Sequence, residues 1–177
     1  MAAPVSAVDN TDFYLKIDGV KGEVQIEGVI DYIKIVSFTW SGQHAGTFQT
    51  AEGPGGASGR FSSNDFSFIM KTNAASPQLM AACGSGKHYA SAILVCRKIV
   101  NSKAVEYLRF TLSPVMVSKF QTGYDPNNNM GDTVVVDSVS LNFGKVLSQY
   151  KPITNQGTAG PTIEGTIDLQ KGIVSGR

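Results

Sequence analysis

A chain of 177 residues with 15 Lys and Arg against 14 Asp and Glu carries a formal net charge of +1, so it has no electrostatic footprint for nucleic acid. It is also long enough to bury one core without a metal or disulfide scaffold, and it has no run of about 18 apolar residues to span a membrane. Charged residues make up only 16% and there are 19 glycines, which points to strands and turns and to much uncharged surface.

In chain order, Met1 to Val8 lacks a basic region ahead of an apolar stretch, and the first lysine is Lys16. No secretory signal is readable, and the cytoplasm is the default location. Residues 1–11 are small and polar and read as a flexible leader, with a single domain over 12–170 and a tail over 171–177. Alternation in Phe13-Tyr14-Leu15-Lys16-Ile17 predicts a half-buried strand with Phe13, Leu15 and Ile17 on one face. Asp18-Gly19 and Lys21-Gly22 supply turns, and Tyr32 to Trp40, rich in β-branched and aromatic residues, predicts a second strand.

Residues 42–62 form an extended glycine-rich loop containing Gly53, Gly55, Gly56 and Gly59, longer than the connections usual in compact domains. Phe66 to Lys71 predicts a strand. A two-turn helix follows, with Ser76 as N-cap, Pro77 at the first helical position and Gly84 closing the end. The second half predicts strands at Tyr89 to Arg97, Val105 to Leu112, Val115 to Phe120, Val134 to Phe143 and Thr162 to Leu169. Asn101-Ser102-Lys103 marks a hairpin. Within Val134 to Phe143, Val139, Leu141 and Phe143 face one way and Ser138, Ser140 and Asn142 the other. Many strands against one short helix define an all-β sandwich or barrel.

Motifs for chemistry fail on inspection. His44 and His88 have no neighbouring nucleophile, and both read as solvated or structural. Gly86-Lys87 lacks the earlier glycine of a phosphate loop, where Ala81 stands, and is followed by His88 instead of Ser or Thr. The Gly53 to Gly59 run has Ser58 where a dinucleotide loop needs its last glycine. Asp125, Asn127 and Asn129 imitate calcium ligands, but Met130 and Val136 stand where Gly and Glu are required. Cys83 and Cys96 read as buried small apolar residues. No catalytic, cofactor or metal site is expected.

The ordered segments resemble the hemolysin-coregulated protein (Hcp) family of type VI secretion tube subunits. The resemblance runs through Phe13-Tyr14-Leu15-Lys16-Ile17-Asp18-Gly19-Val20-Lys21-Gly22-Glu23 and Val36-Ser37-Phe38-Thr39-Trp40. It continues in Asp65-Phe66-Ser67-Phe68, Ala75-Ser76-Pro77-Gln78-Leu79-Met80 and Gly86-Lys87-His88-Tyr89, and ends with Ser138 to Phe143 and Tyr150-Lys151-Pro152. Val24 and Gly28-Val29 depart from the family pattern, which has Ser and His there. The resemblance implies two sheets forming a small barrel flanked by one helix, and a homohexameric ring stacked into a hollow tube. Its partners would be further copies of itself, a spike of the VgrG type, a contractile sheath and effector proteins in the lumen, with export through the machine itself and no membrane insertion. It further implies that Ser37 and Thr39 face the lumen if Phe38 and Trp40 face the core, and that the loop glycines lie in the ring-stacking segment. Competing readings are an effector enzyme built on the fold, for which the residues after Pro152 are too few, a monomeric β-sandwich binding module, and a phage-tail-tube-like protein.

Overall fold

The computed structural model describes residues 11–45, 61–124, 134–154 and 156–176. Residues 1–10 of the expected leader and the loop glycines Gly53, Gly55, Gly56 and Gly59 lie outside the described residues, as does the calcium-like run from Asp125 to Met130, while Thr11 already belongs to the first strand. Strands β1 (Thr11–Ile17), β2 (Ile33–Thr39), β3 (Gly42–His44), β4 (Phe61–Ser63) and β5 (Phe66–Lys71) precede helix α1 (Ser76–Ser85). Then come β6 (His88–Tyr89), β7 (Ala92–Val100), β8 (Lys103–Tyr124), β9 (Val135–Tyr150), β10 (Ile163–Asp168) and β11 (Ile173–Gly176).

Strands β1, β2, β5, β9, β8 and β7 pair in that cyclic order, each antiparallel to the next, and close a six-stranded barrel. Its interior follows from the alternation: Leu15 and Ile17 of β1 are fully buried, as are Val139 and Leu141 of β9. At four places, the last being Phe143 and Val146 of β9 opposite the break at Pro114, the inward residues are three apart, not two, which alternation alone forbids. A bulge lies between Ile35 and Ser37, so buried Ile35 and core-packed Phe38 point the same way. A second bulge between Val117 and Lys119 does the same for Val117 and Phe120. The extra residue in each bulge resets the parity.

The third place is Pro114. Its missing N–H breaks the sequence pattern into two predicted strands, but β8 runs through it as one. Pairing with β7 ends at Leu112 and pairing with β6 begins at Val115. The proline thus sits where no ladder bond is required on that side. The reverse holds for the strand expected over Tyr89 to Arg97, which divides into β6 and β7. Asn101 and Ser102 adopt φ of 50° and 63°, the turn geometry of a two-residue hairpin.

Helix α1 differs from expectation at both ends. Its cap residue is Ala75, with no side-chain cap bond, and Pro77 is second in the helix. The Ser76 hydroxyl instead donates to buried Asp137 on β9 and accepts from the Asn73 amide. The C-cap is Gly86 at φ 64°, not Gly84, so the helix is 10 residues long. Leu79 and Ala82 seat it on the barrel core.

A smaller cluster lies outside the main core. Tyr14 and Val95, register partners on the outer face of β1 and β7, are buried with Val29 of the 22–32 loop. That loop closes on itself through Gly22 N to Asp31 O at 3.0 Å and Val24 N to Tyr32 O at 3.1 Å. Glu23 then accepts the Ala74 amide at 2.8 Å just before α1. Finally, β10 extends the sheet from the second half of β9, and β11 pairs with β10, so residues Ile173–Gly176 of the expected tail are a strand. A tail with four ladder partners saves its backbone groups from lying unpaired.

Candidate assembly surface

The bulge at Val36 places Ser37 and Thr39 on the outside of the barrel, both exposed, while Phe38 packs between Phe13, Phe66 and Phe110. Strand register extends this outer row across three more strands. Thr39 lies opposite Ser67 and Ser37 opposite Ile69. Ser67 lies opposite Ser140 and Ile69 opposite Ser138, and these in turn meet Lys119 and Gln121. The Ser67 and Ser140 hydroxyls are 2.8 Å apart and hydrogen-bonded.

The result is a four-stranded wall, β2-β5-β9-β8, faced mainly by hydroxyls and amides. Ser67 has another serine as its partner, not an imidazole or carboxylate, so nothing there activates it as a nucleophile. Among the described residues, both ends of this wall are open. Residues 37–39 of β2 have no partner on the side away from β5, since β1 reaches only Ile33 to Ile35. Residues 117–124 of β8 have none on the side away from β9. The open edges belong to different strands.

At one side of the wall the glycine-rich loop is rooted in the separate two-stranded sheet of β3 and β4. Trp40 Nε1 donates to Ser63 Oγ at 2.9 Å, and the indole packs edgewise on Phe110 and Phe143. Asn64 binds Ser41 twice, through its side-chain amide at 2.7 Å and its backbone amide at 2.9 Å. Asp65 accepts from Ser118 Oγ and from Asn142 Nδ2.

Of the residues singled out in the sequence, Ser37 and Thr39 stand together on the wall. His44 and His88 are exposed, on β3 and β6. Both cysteines are free thiols; Cys96 is buried and Cys83 partly so. Burial, reinforced by the charge of Glu106, pushes the Cys96 thiol up to about 12, so it is protonated and inert at neutral pH. Among the described residues no group of three or more His, Cys, Asp or Glu could hold a metal ion, and no helix is long and apolar enough to cross a membrane. Sequence reasoning did not place Ser67, Ser138 and Ser140 beside Thr39. The alternation already turned Ser138 and Ser140 outward, but which strands flank β2 is a long-range fact.

A closed barrel whose outer wall is mostly hydroxyl-bearing, with Lys119 its one charged member in that row, and whose edges among the described residues are open and unlike, defines a structural subunit. Residues 14–150 match the family model described as "Type VI secretion system effector, Hcp", and the chain belongs to the Hcp family, whose members are secreted tube proteins and not enzymes. It is 35% identical over 156 residues to protein hcp1 of Pseudomonas aeruginosa, covering 87% of this chain and 93% of that one. The fold resembles the crystal structure of Hcp1 from Salmonella typhimurium, with TM-score 0.71, 27% identity, and coverage of 93% and 99%. A type six secretion system protein matches at TM-score 0.81 with 20% identity over the same shares of the two chains.

Proposed function

We propose that this chain is the subunit of a type VI secretion inner tube, that six copies close into a ring, and that the β2-β5-β9-β8 wall lines the channel. The observation that carries this is the pair of unlike open edges flanking the hydroxyl face. An edge of β8 joined to the β2 edge of the next copy makes a head-to-tail contact, which builds a ring when the rotation closes. Such joining also satisfies the backbone groups that an open edge leaves unpaired.

On this reading Ser37, Thr39, Ser67, Ser138 and Ser140 present small neutral groups to the channel, which let a passenger effector slide or bind weakly. Residues 42–62, with Gly53, Gly55, Gly56 and Gly59, reach toward the neighbouring ring and hold the stack. The partners are then a spike of the VgrG type at the tip, the contractile sheath outside, and effectors within. The protein is made in the cytoplasm and exported through the machine itself.

The lumen assignment is tested by Thr39→Trp. Rings form as in the wild type, and an effector co-purified with the wild-type ring is recovered at less than a tenth of its amount. Unchanged retention with intact rings would sink the assignment of this wall to the channel.

A further inference from the structure

We infer that the base of the glycine-rich hairpin is a preset stalk: Trp40, Ser63, Asn64 and Asp65 fix the direction in which the hairpin leaves the barrel before any neighbour is met. The inference rests on the reading of residues 42–62 as the ring-stacking segment.

Four ties meet within a few residues of the root. Trp40, the only tryptophan of the chain, is anchored in the core by Phe110 and Phe143 with ring centroids 6.4 and 6.2 Å away, and it holds Ser63. The Ser63 hydroxyl in turn donates a hydrogen bond to Asn64 O at 3.0 Å. Asn64 grips Ser41 just before β3, and Asp65 hooks onto β8 and β9 through Ser118 and Asn142. The fourth tie is steric. A Cβ on Gly42 would lie 2.3 Å from Phe61 Cζ, so the Phe61 ring lies over the bare glycine backbone and any side chain there displaces it.

Strands β3 and β4 form a sheet of their own and contribute no ladder to the barrel, so the ties at Gly42, Ser63 and Asn64 add no rung to it. What they do is remove rotational freedom from the root. Ordering a long segment at a contact costs conformational entropy, and a segment whose exit is already set loses less. In a ring the saving is repeated in every copy. A threefold loss per copy multiplies over six copies to several hundredfold, at about 1.4 kcal/mol for each tenfold.

The experiment compares ring stacking, by sedimentation and by tube length in negative stain, for five proteins. These are the wild type, Ser63→Ala, Ser63→Thr, Gly42→Ala, and a chain with residues 46–60 replaced by a short Gly-Ser turn. Ser63→Ala keeps single rings, shifts Trp40 emission to the red and weakens stacking at least tenfold. Ser63→Thr restores both signals, and Gly42→Ala behaves like Ser63→Ala. If both alanine variants stack like the wild type while the loop replacement abolishes stacking, the stalk is refuted and the loop reading stands. If the loop replacement stacks normally, or the wild type does not stack, the loop reading fails and the stalk with it.

Discussion

Asp137 shows how one residue can carry a tertiary tie that its neighbours in sequence conceal. It occupies an inward position of β9, is 1% exposed, and accepts from Thr72 Oγ1 at 3.1 Å and from Ser76 Oγ. The carboxylate thereby fastens the start of α1 to the barrel, the task that a side-chain N-cap was expected to serve. Asp137→Ala leaves the buried Ser76 hydroxyl without its acceptor, at about 1–3 kcal/mol for the unpaired group, while the exposed Thr72 hydroxyl turns to water. Thermal unfolding should drop by roughly 4–8 °C for a loss of about 2 kcal/mol in a chain of this size; a drop below 1 °C would show that the tie is dispensable. Nothing nearby in the sequence discloses it, because its partners are 61 and 65 residues away.

Three buried acids give the molecule a directional pH dependence. Burial raises Tyr14 and Tyr89, with Asp12 adding to the rise at Tyr14, and it raises Cys96 from 9.0 to about 12. Each prefers its neutral form in the folded state. The stability this contributes is whole below the unfolded value and is lost as pH rises toward the folded one. Urea midpoints should therefore fall between pH 9 and pH 12, and Cys96→Ala should flatten the first part of that fall. An equal fall in the variant would remove Cys96 from the account.

Among the elements, the strands with plain alternation were legible, and those that change parity were only partly so. Val139, Leu141 and Phe143 could be assigned to one face at once. Phe38 sits three residues beyond Ile35, and that spacing is itself the signature of the bulge. Pro114 misled the strand count because the cost of a missing N–H depends on whether a neighbour strand is present, which is a property of the whole sheet.

Of the 22–32 loop only its start was legible, Gly22 as a turn residue, and the physical reason for that glycine is close approach. A Cβ at Gly22 would lie 2.2 Å from the Tyr32 carbonyl oxygen. Gly22→Ala should therefore cost about 1–3 kcal/mol by overpacking. Hydrogen exchange should quicken at the Val24 and Asp31 amides while those of β9 keep their protection. Uniform quickening across the barrel would mean that the loop is not a separate unit.

At the scale of the molecule, the family was readable because an ordered series of segments survives where no single motif is diagnostic. Strand count and the lack of a second helix left a sandwich or a barrel open, and the family resemblance pointed to the barrel. The wall did not, since Ser67 and Ser140 are brought to Thr39 only by the pairing of β5 with both β2 and β9. The sequence offers no recognisable catalytic motif, and the family it belongs to is one of secreted tube proteins, not enzymes.

The most direct test of the ring is negative-stain electron microscopy of the purified protein viewed end-on. The account predicts six-fold rings with an open centre, lost when Thr122→Pro is placed in the open β8 edge while the monomer stays folded by circular dichroism. Single small particles of the wild type at high protein concentration would contradict it and make a monomeric binding module the better description.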